Sequence, residues 1–217
     1  MEQLALALEL PVSPPNTVLS RSNGAAYKML AGWPDWPHPV ALVTGPEGAG
    51  RSHLARVFAE GSGGVLRDGA SVGLEDALTL PADGVLVVDD ADRASDRMVF
   101  HLINAVRANS GTMLLTARRR AVGGLADLAS RLRAVPEVAL EAPDDGLMRA
   151  VMAEAFARRQ LIVDEAVVTF LLHRMERTLH AALSWVEALD RQGLVERRGA
   201  TVPLAARLMR AGGPTLV

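Results

Sequence analysis

The chain has 217 residues, which is enough for one α/β domain and a small appendage. Its formal net charge of −2 excludes a global basic field for nucleic acid, and the absence of cysteine excludes disulfides and thiolate metal sites. Since no apolar run reaches the ~18 residues of a membrane span and no basic segment precedes an apolar one as in a signal peptide, we expect a cytoplasmic protein with no membrane contact.

The first fifteen residues form a short apolar segment followed by prolines. Leucines alternate along it, a period-two pattern typical of an extended strand, and the prolines then prevent regular structure. Such a segment packs on the domain, adds to another protein as an extended peptide, or has no fixed structure. We therefore treat residues 1–15 as an N-terminal peptide and linker.

A glycine-rich loop lies between a predicted strand at residues 40–44 and a predicted helix that begins near His53. Its sequence is Gly45-Pro46-Glu47-Gly48-Ala49-Gly50-Arg51-Ser52. Strand, loop and helix in this order are the context of a P-loop, where backbone N–H groups and the helix N-terminus bind phosphate. A glycine-rich turn without a ligand is the alternative. The usual P-loop lysine is replaced by Arg51, in a chain whose only lysine is Lys28.

Further strands are predicted at residues 64–67, 84–90, 112–116 and 135–140, and alternating strands and helices favour a parallel sheet with helices on both faces. Asp89 and Asp90 end an apolar strand, as in a Walker B motif. Asp89 is then placed to hold Mg²⁺ through water, and Asp90 to orient or deprotonate an attacking water. Thr116 ends the next strand, where it is either a polar sensor beside the γ-phosphate or an ordinary strand-end threonine.

The predicted secondary structure changes after residue 142, because only helices are predicted beyond it. They cover residues 145–159, 165–175, 177–191 and 204–210. We expect an α/β domain at residues 16–142 and a small all-helical domain at residues 143–217. Two arginines attract attention: Arg131 precedes the last strand and Arg177 begins the third of these helices. Either is a candidate for contact with phosphate or an ordinary solvated arginine.

Together these motifs resemble the AAA+ ATPases, and within them the DnaA branch. The residues that match are Gly-Pro-x-Gly-x-Gly-x-Ser-His-Leu at 45–54, Val87-Val88-Asp89-Asp90, the arginine-finger box Ser130-Arg131-Leu132, and the sensor-2 helix that includes Arg177. The resemblance implies a P-loop NTPase with a five-stranded parallel sheet followed by a helical lid. It also implies ADP or ATP as ligand with Mg²⁺, and phosphate contacts from the loop residues, His53, Thr116 and Arg177. Ser22 and Asn23 lie where the family closes over the base.

The sequence contains no counterpart of the basic recognition helix of DnaA's DNA-binding domain, so we expect no direct sequence-specific DNA contact. In this it is similar to the Hda-like proteins. Its N-terminus, with Gln3, Leu4, Leu6 and Leu8, resembles the peptide by which that family binds the sliding clamp, the β subunit of DNA polymerase III. The resemblance implies a nucleoid- or replisome-associated regulator that stimulates hydrolysis of ATP held by DnaA, with Arg131 acting in trans.

Arg51 bears on the chain's own nucleotide. A lysine ammonium is compact, whereas a guanidinium is longer and planar, so we expect a misplaced γ-phosphate, poor intrinsic ATP hydrolysis and retained ADP binding. Two other readings stay open: a self-contained AAA+ ATPase or remodelling subunit, and a non-catalytic DnaA-like adaptor that recruits another replication or segregation protein. Head-to-tail association with a second copy or with DnaA is expected because AAA+ sites lie at subunit edges.

Overall fold

The structure, a computed structural model, describes residues 18–120, 126–196 and 199–214. These residues form two compact units that divide between Glu141 and Ala142, one residue before the boundary expected from the sequence. The predicted clamp-binding residues Gln3, Leu4, Leu6 and Leu8 lie outside the described part of the chain.

The first unit is built on a parallel sheet of five strands in the order β2-β3-β4-β1-β5. The strands are β1 (Val40–Thr44), β2 (Val65–Asp68), β3 (Val85–Asp89), β4 (Thr112–Ala117) and β5 (Glu137–Ala139). Each of them was predicted from the sequence. The predicted fold class, a parallel five-stranded sheet flanked by helices and followed by a helical domain, is therefore confirmed.

The central strands are covered on both faces, which explains their continuous apolar runs. All five residues of β1 are buried, and alternate residues belong to different cores. Val40 and Leu42 pack in one hydrophobic cluster, whereas Ala41 and Val43 pack in the cluster on the other side of the sheet. The edge strands β2 and β5 are partly exposed, so their sequence signal is weaker.

Helices cover both faces of this sheet. They are α1 (Gly24–Ala31), α2 (Arg51–Ser62), α3 (Leu74–Leu78), α4 (Asp96–Ala108) and α5 (Ala126–Ala134). No helix was predicted for α3 or α5. The five residues of α3 are too few for a helical period to be visible. Trp33 and Trp36 pack on Phe58 of α2, edge-on at 5.9 Å and stacked at 5.2 Å between ring centroids, in keeping with a packing role.

The second unit is helical in all its regular elements within the described residues. Its helices are α6 (Asp145–Arg158), α7 (Glu165–Leu172), α8 (Leu179–Glu196) and α9 (Val202–Arg210). The expected start of α8 at Arg177 is wrong, because the Thr178 hydroxyl accepts the N–H of Ala181 at 3.0 Å and so caps the helix after Arg177. The apolar faces of α6, α7, α8 and α9 meet in one core that includes Met152, Leu171 and Trp185. Across the described ranges, no helix has the length and apolarity to cross a bilayer.

Asp76 provides a test of local stability in the first unit. Its carboxylate accepts the N–H of Gly73 at 2.9 Å and the Nε–H of Arg67 at 2.6 Å, which caps the start of α3. Burial would raise the pKa of Asp76, but these hydrogen bonds and the Arg67 charge outweigh it and leave that pKa lowered. We expect Asp76→Asn to lower the free energy of unfolding at pH 7 by about 1 kcal/mol.

A carboxylate with a lowered pKa stabilises the fold above its unfolded-state pKa, and this contribution is lost as the pH falls through the folded-state pKa. The difference between Asp76→Asn and the unaltered chain should therefore shrink below about pH 4. Urea unfolding from pH 7 to pH 3 measures it, and Asp35→Asn, at an exposed aspartate, is the matched control. An equal loss in both variants, or no dependence on pH, would contradict the capping role.

Candidate functional site

The predicted P-loop joins the end of β1 to the start of α2. Gly48 and Gly50 have φ angles of 74° and 97°, in the left-handed region that side-chain-bearing residues rarely adopt. Pro46 and Glu47 are exposed at the bend, and Ala49 is buried beneath it. The glycines are therefore spaced to match the positions at which the backbone needs left-handed φ angles to pass from the loop into α2.

The N-terminus of α2 has no side-chain cap. Gly50 occupies the N-cap position, and glycine has no side chain that could accept a hydrogen bond from the first turn. The backbone N–H groups of a first helical turn lack intrahelical acceptors and carry the positive end of the helix dipole. Ser52 and His53 are exposed in this turn. This end of a twelve-residue helix is therefore suited to an anion.

Arg51, at the position of the P-loop lysine, is directed inward and is only 7% exposed. One terminal nitrogen donates to the carbonyl oxygen of Gly45, at the start of the loop. The other donates to Asp90 Oδ1 at 2.7 Å. The guanidinium thus connects the P-loop to the end of β3. No sequence pattern predicts these two contacts, which depend on the pairing order of the strands.

Asp89, Asp90 and Thr116 form one hydrogen-bonded group at the carboxyl ends of β3 and β4. The Thr116 hydroxyl donates to Asp89 Oδ1 at 2.5 Å and accepts the backbone N–H of Asp90 at 2.9 Å. Thr116 is completely buried. Asp90 has φ and ψ of 50° and 50°, an uncommon conformation for a residue other than glycine. The structure therefore brings together the two predicted Walker B carboxylates and the predicted sensor.

An unsatisfied donor indicates that this site fits a phosphate group. The Nε–H of Arg51 is buried and, within the part of the chain that the structure describes, has no hydrogen-bond partner. Buried donors are normally paired, so an isolated one calls for an acceptor that a ligand brings. A phosphate bound at the N-terminal turn of α2 would bring oxygen acceptors of this kind. Among the described residues, no cluster of three or more acidic or histidine side chains forms a protein-only metal site. Asp89 and Ser52 would then need phosphate oxygens to complete a Mg²⁺ shell.

Ser22 and Asn23 are buried, but their side chains have local roles. The Asn23 amide accepts the N–H of Ser20 at 2.8 Å and donates to the Val18 carbonyl at 2.9 Å. Asn23 occupies the N-cap of α1 without capping it through its side chain. The Ser22 hydroxyl pairs with that of Ser20 at 2.7 Å. Contact of these residues with a base stays a prediction.

Arg131 lies on α5 and its guanidinium rests on an aromatic ring. The Cζ atom is 4.8 Å from the centroid of the Phe100 ring of α4. Within the described residues, Arg131 forms no ion pair with a carboxylate. A cation–π contact contributes about 0.5–1 kcal/mol at an exposed site and more where it is desolvated, so the ring helps to orient the half-buried Arg131 without neutralising its charge. Phe100 was not singled out from the sequence, where it is one apolar residue of an amphipathic helix.

Arg177 belongs to the second unit and lies in the turn before α8. Its guanidinium pairs with the carboxylate of Asp145, in the first turn of α6. Both side chains are more than half exposed, so this ion pair is weak and open to exchange. The role of Arg177 as a phosphate-sensing residue stays a prediction.

Comparison with known proteins gives matches both to the helical unit and to most of the chain. A family model described as "Hda, lid domain" matches residues 144–209, which lie in the second unit. An uncharacterized protein of Haemophilus influenzae is 23% identical over 192 residues, covering 81% of this chain and 83% of that protein.

The fold is similar to that of solved DnaA structures. Domain III of the Thermotoga maritima replication initiation protein DnaA matches with a TM-score of 0.75 at 15% identity, covering 90% of this chain and 94% of that domain. AMPPCP-bound DnaA from Aquifex aeolicus matches with a TM-score of 0.69 at 15% identity, covering 90% of this chain and 68% of that one.

Thr116 offers a direct test of the hydrogen-bonded group. Thr116→Val keeps the side-chain volume but leaves Asp89 and the N–H of Asp90 without their partner. We expect the free energy of unfolding to fall by about 1–3 kcal/mol. Thr112→Val makes the same chemical change at the partly exposed start of β4, and should change it by less than about 0.5 kcal/mol. Chemical denaturation measures both, and equal effects would exclude a special role for the Thr116 hydroxyl.

Proposed function

Because the chain is a DnaA-like AAA+ protein of the Hda type, we propose that it is a negative regulator of bacterial chromosome replication initiation. Bound to the DNA-loaded sliding clamp, it stimulates hydrolysis of the ATP held by DnaA. Arg131 enters the partner's nucleotide site and neutralises charge on the transferring phosphoryl group. DnaA is left with ADP and is inactive for another initiation.

The environment of Arg131 is the observation that carries this proposal. An arginine finger must reach another subunit with its charge available, because its work is to stabilise developing negative charge. Arg131 lies over the Phe100 ring at 4.8 Å and has no carboxylate partner in the described ranges. An arginine already tied to a carboxylate would lose that ion pair on every encounter. The aromatic ring instead supports the guanidinium from one face and accepts none of its in-plane N–H donors.

The protein's own nucleotide is proposed to be ADP or ATP, held in the loop from Gly45 to Ser52 with Mg²⁺ beside Asp89. Support comes from the uncapped N-terminus of α2 and the unpaired Nε–H of Arg51. The structurally similar DnaA from Aquifex aeolicus was solved with AMPPCP, an ATP analogue. The phosphates would supply acceptors for these donors. In this proposal the nucleotide shapes the protein and is not consumed by it.

Clamp attachment is assigned to the N-terminal peptide. Gln3 provides an amide, and Leu4, Leu6 and Leu8 provide aliphatic anchors at alternate positions, a pattern that an extended peptide presents on one side. The attachment would raise the local concentration of Arg131 near DnaA on the same DNA.

Two other functions predict different experimental outcomes from this proposal. A self-contained AAA+ ATPase would hydrolyse ATP alone, which the engagement of Arg51 and Asp90 with each other disfavours. An adaptor would bind DnaA or the clamp without accelerating hydrolysis.

Arg131→Ala tests the trans mechanism. Arginine fingers contribute roughly 10³–10⁵ to the rate, so stimulation of DnaA-bound ATP hydrolysis should fall by at least about 100-fold. The measurement is conversion of radiolabelled ATP on DnaA from the same organism, with DNA-loaded clamp present. Arg133→Ala removes an exposed arginine of the same helix and should keep most of the stimulation. Clamp binding without stimulation by the intact protein would favour the adaptor.

Gln3→Ala tests the clamp anchor. Losing the amide from its pocket should weaken clamp binding by about tenfold or more, because the pocket's polar groups lose their partner. Binding is measured by surface plasmon resonance on immobilised clamp, and Glu2→Ala is the neighbouring control. A full-strength complex of Gln3→Ala with the clamp would refute this attachment.

A further inference from the structure

Arg118 directly follows β4 and lies beside the start of the P-loop. In the parallel pairing of β1 with β4, Thr44 is opposite Ala117, so the next residue of each strand, Gly45 and Arg118, leaves the sheet at the same edge. Adjacent strands of a sheet are only about 4.8 Å apart. Arg118 therefore begins next to the loop to which the proposed function assigns the nucleotide phosphates.

The guanidinium of Arg118 is exposed and takes part in an exchangeable ion pair. Its Nε–H donates to Asp92 Oδ2 at 2.8 Å, while 64% of the side chain stays exposed. Asp92 lies in the 3₁₀ turn Ala91–Arg93, which directly follows the two Walker B carboxylates. Exposed ion pairs contribute little to stability. Arg118 can therefore leave Asp92 for another anion at little cost to the fold.

The electrostatic surroundings of Arg118 include the P-loop itself. The hydrogen bond to Asp92 and the charge of Asp92 raise the pKa of Arg118 most, and the charges of Asp90 and Glu47 raise it further. Glu47 belongs to the P-loop, and Asp90 follows β3. The Arg118 guanidinium is therefore within electrostatic range of both sides of the phosphate site.

The charges at this edge of the sheet leave a role for a second cation. Arg51 is paired with Asp90 at 2.7 Å, and Asp89 adds another carboxylate beside Thr116. One guanidinium is thus set against two carboxylates before any phosphate binds. Even with Mg²⁺ beside Asp89, a bound ADP would leave the site negative. A second guanidinium would offset this charge, and its planar set of donors matches phosphate oxygens.

We propose that Arg118 is a further phosphate-contact residue of the nucleotide site, which exchanges Asp92 for a phosphate oxygen when a nucleotide binds. The proposal rests on the nucleotide site in the proposed function and adds a residue that lies outside the sequence motifs. Asp92 then competes with the ligand for the same guanidinium. The two members of this ion pair consequently have opposite effects on nucleotide affinity.

Arg118→Gln tests the contact. It removes the charge and keeps a polar side chain, so the Kd for ADP should rise about tenfold. Isothermal titration calorimetry with the full chain and Mg²⁺ measures it. Arg93→Gln is the matched control, because Arg93 forms a similarly exposed ion pair at 2.9 Å with Asp68, at the end of β2. Two strands separate β2 from the P-loop strand β1, so this variant should change the Kd less than about twofold.

Asp92→Asn tests the competition, and its expected effect has the opposite sign. Releasing Arg118 and removing a nearby negative charge should lower the Kd for ADP about threefold or more. Asp68→Asn is the control for this variant and should leave the Kd within about twofold. In the Arg118→Gln background, Asp92→Asn should tighten binding less, because the guanidinium that it releases is missing.

A Kd for ADP of Arg118→Gln within about twofold of that of the intact protein would overturn the proposal and leave the nucleotide site in place. Weaker binding in both Arg118→Gln and Asp92→Asn would also overturn it, because the ion pair would then act only through the fold. Thermal melting verifies that each variant is folded, and Asp92→Asn decides the question if Arg118→Gln is not. If the intact protein does not bind ADP, the proposed nucleotide site itself fails.

Discussion

Parallel pairing of β1, β3 and β4 is the constraint on which both the core and the candidate site depend. Strands covered on both faces must be apolar along their length, so polar side chains appear only where the strands end. The register then aligns those ends, with Thr44 beside Ala117 and Val88 beside Leu115. As a result, a P-loop, two carboxylates and a threonine that are far apart in sequence meet at one edge of the sheet.

Arg51 changes what this edge of the sheet does. A lysine there would present one mobile charge to phosphate, whereas the guanidinium makes two directed contacts at once, to Gly45 and Asp90. The loop is therefore connected to β3 within the protein itself. Any ligand bound at this loop would therefore meet a guanidinium that already has two protein partners.

The chain's many arginines are not equivalent, and their partners distinguish them. Arg51 forms a buried ion pair, Arg177 shares a weak exposed ion pair, and Arg131 lies over the Phe100 ring. Composition alone cannot distinguish these three residues, because all are arginines in an arginine-rich chain. Their surroundings divide them into an internal bridge, a surface ion pair and a cation supported by an aromatic ring.

The sequence alone determined the five strands, the change to helices after residue 142, the P-loop and the acidic end of β3, because burial periodicity and glycine punctuation are local properties. It left α3 and α5 unassigned, and for α3 the reason is that a five-residue helix has no visible period. Only the tertiary structure decided that Asp90 faces Arg51 and that Phe100 lies beneath Arg131. Those pairings depend on which strands and helices become neighbours, and contacts between elements distant in sequence leave no pattern in either segment alone.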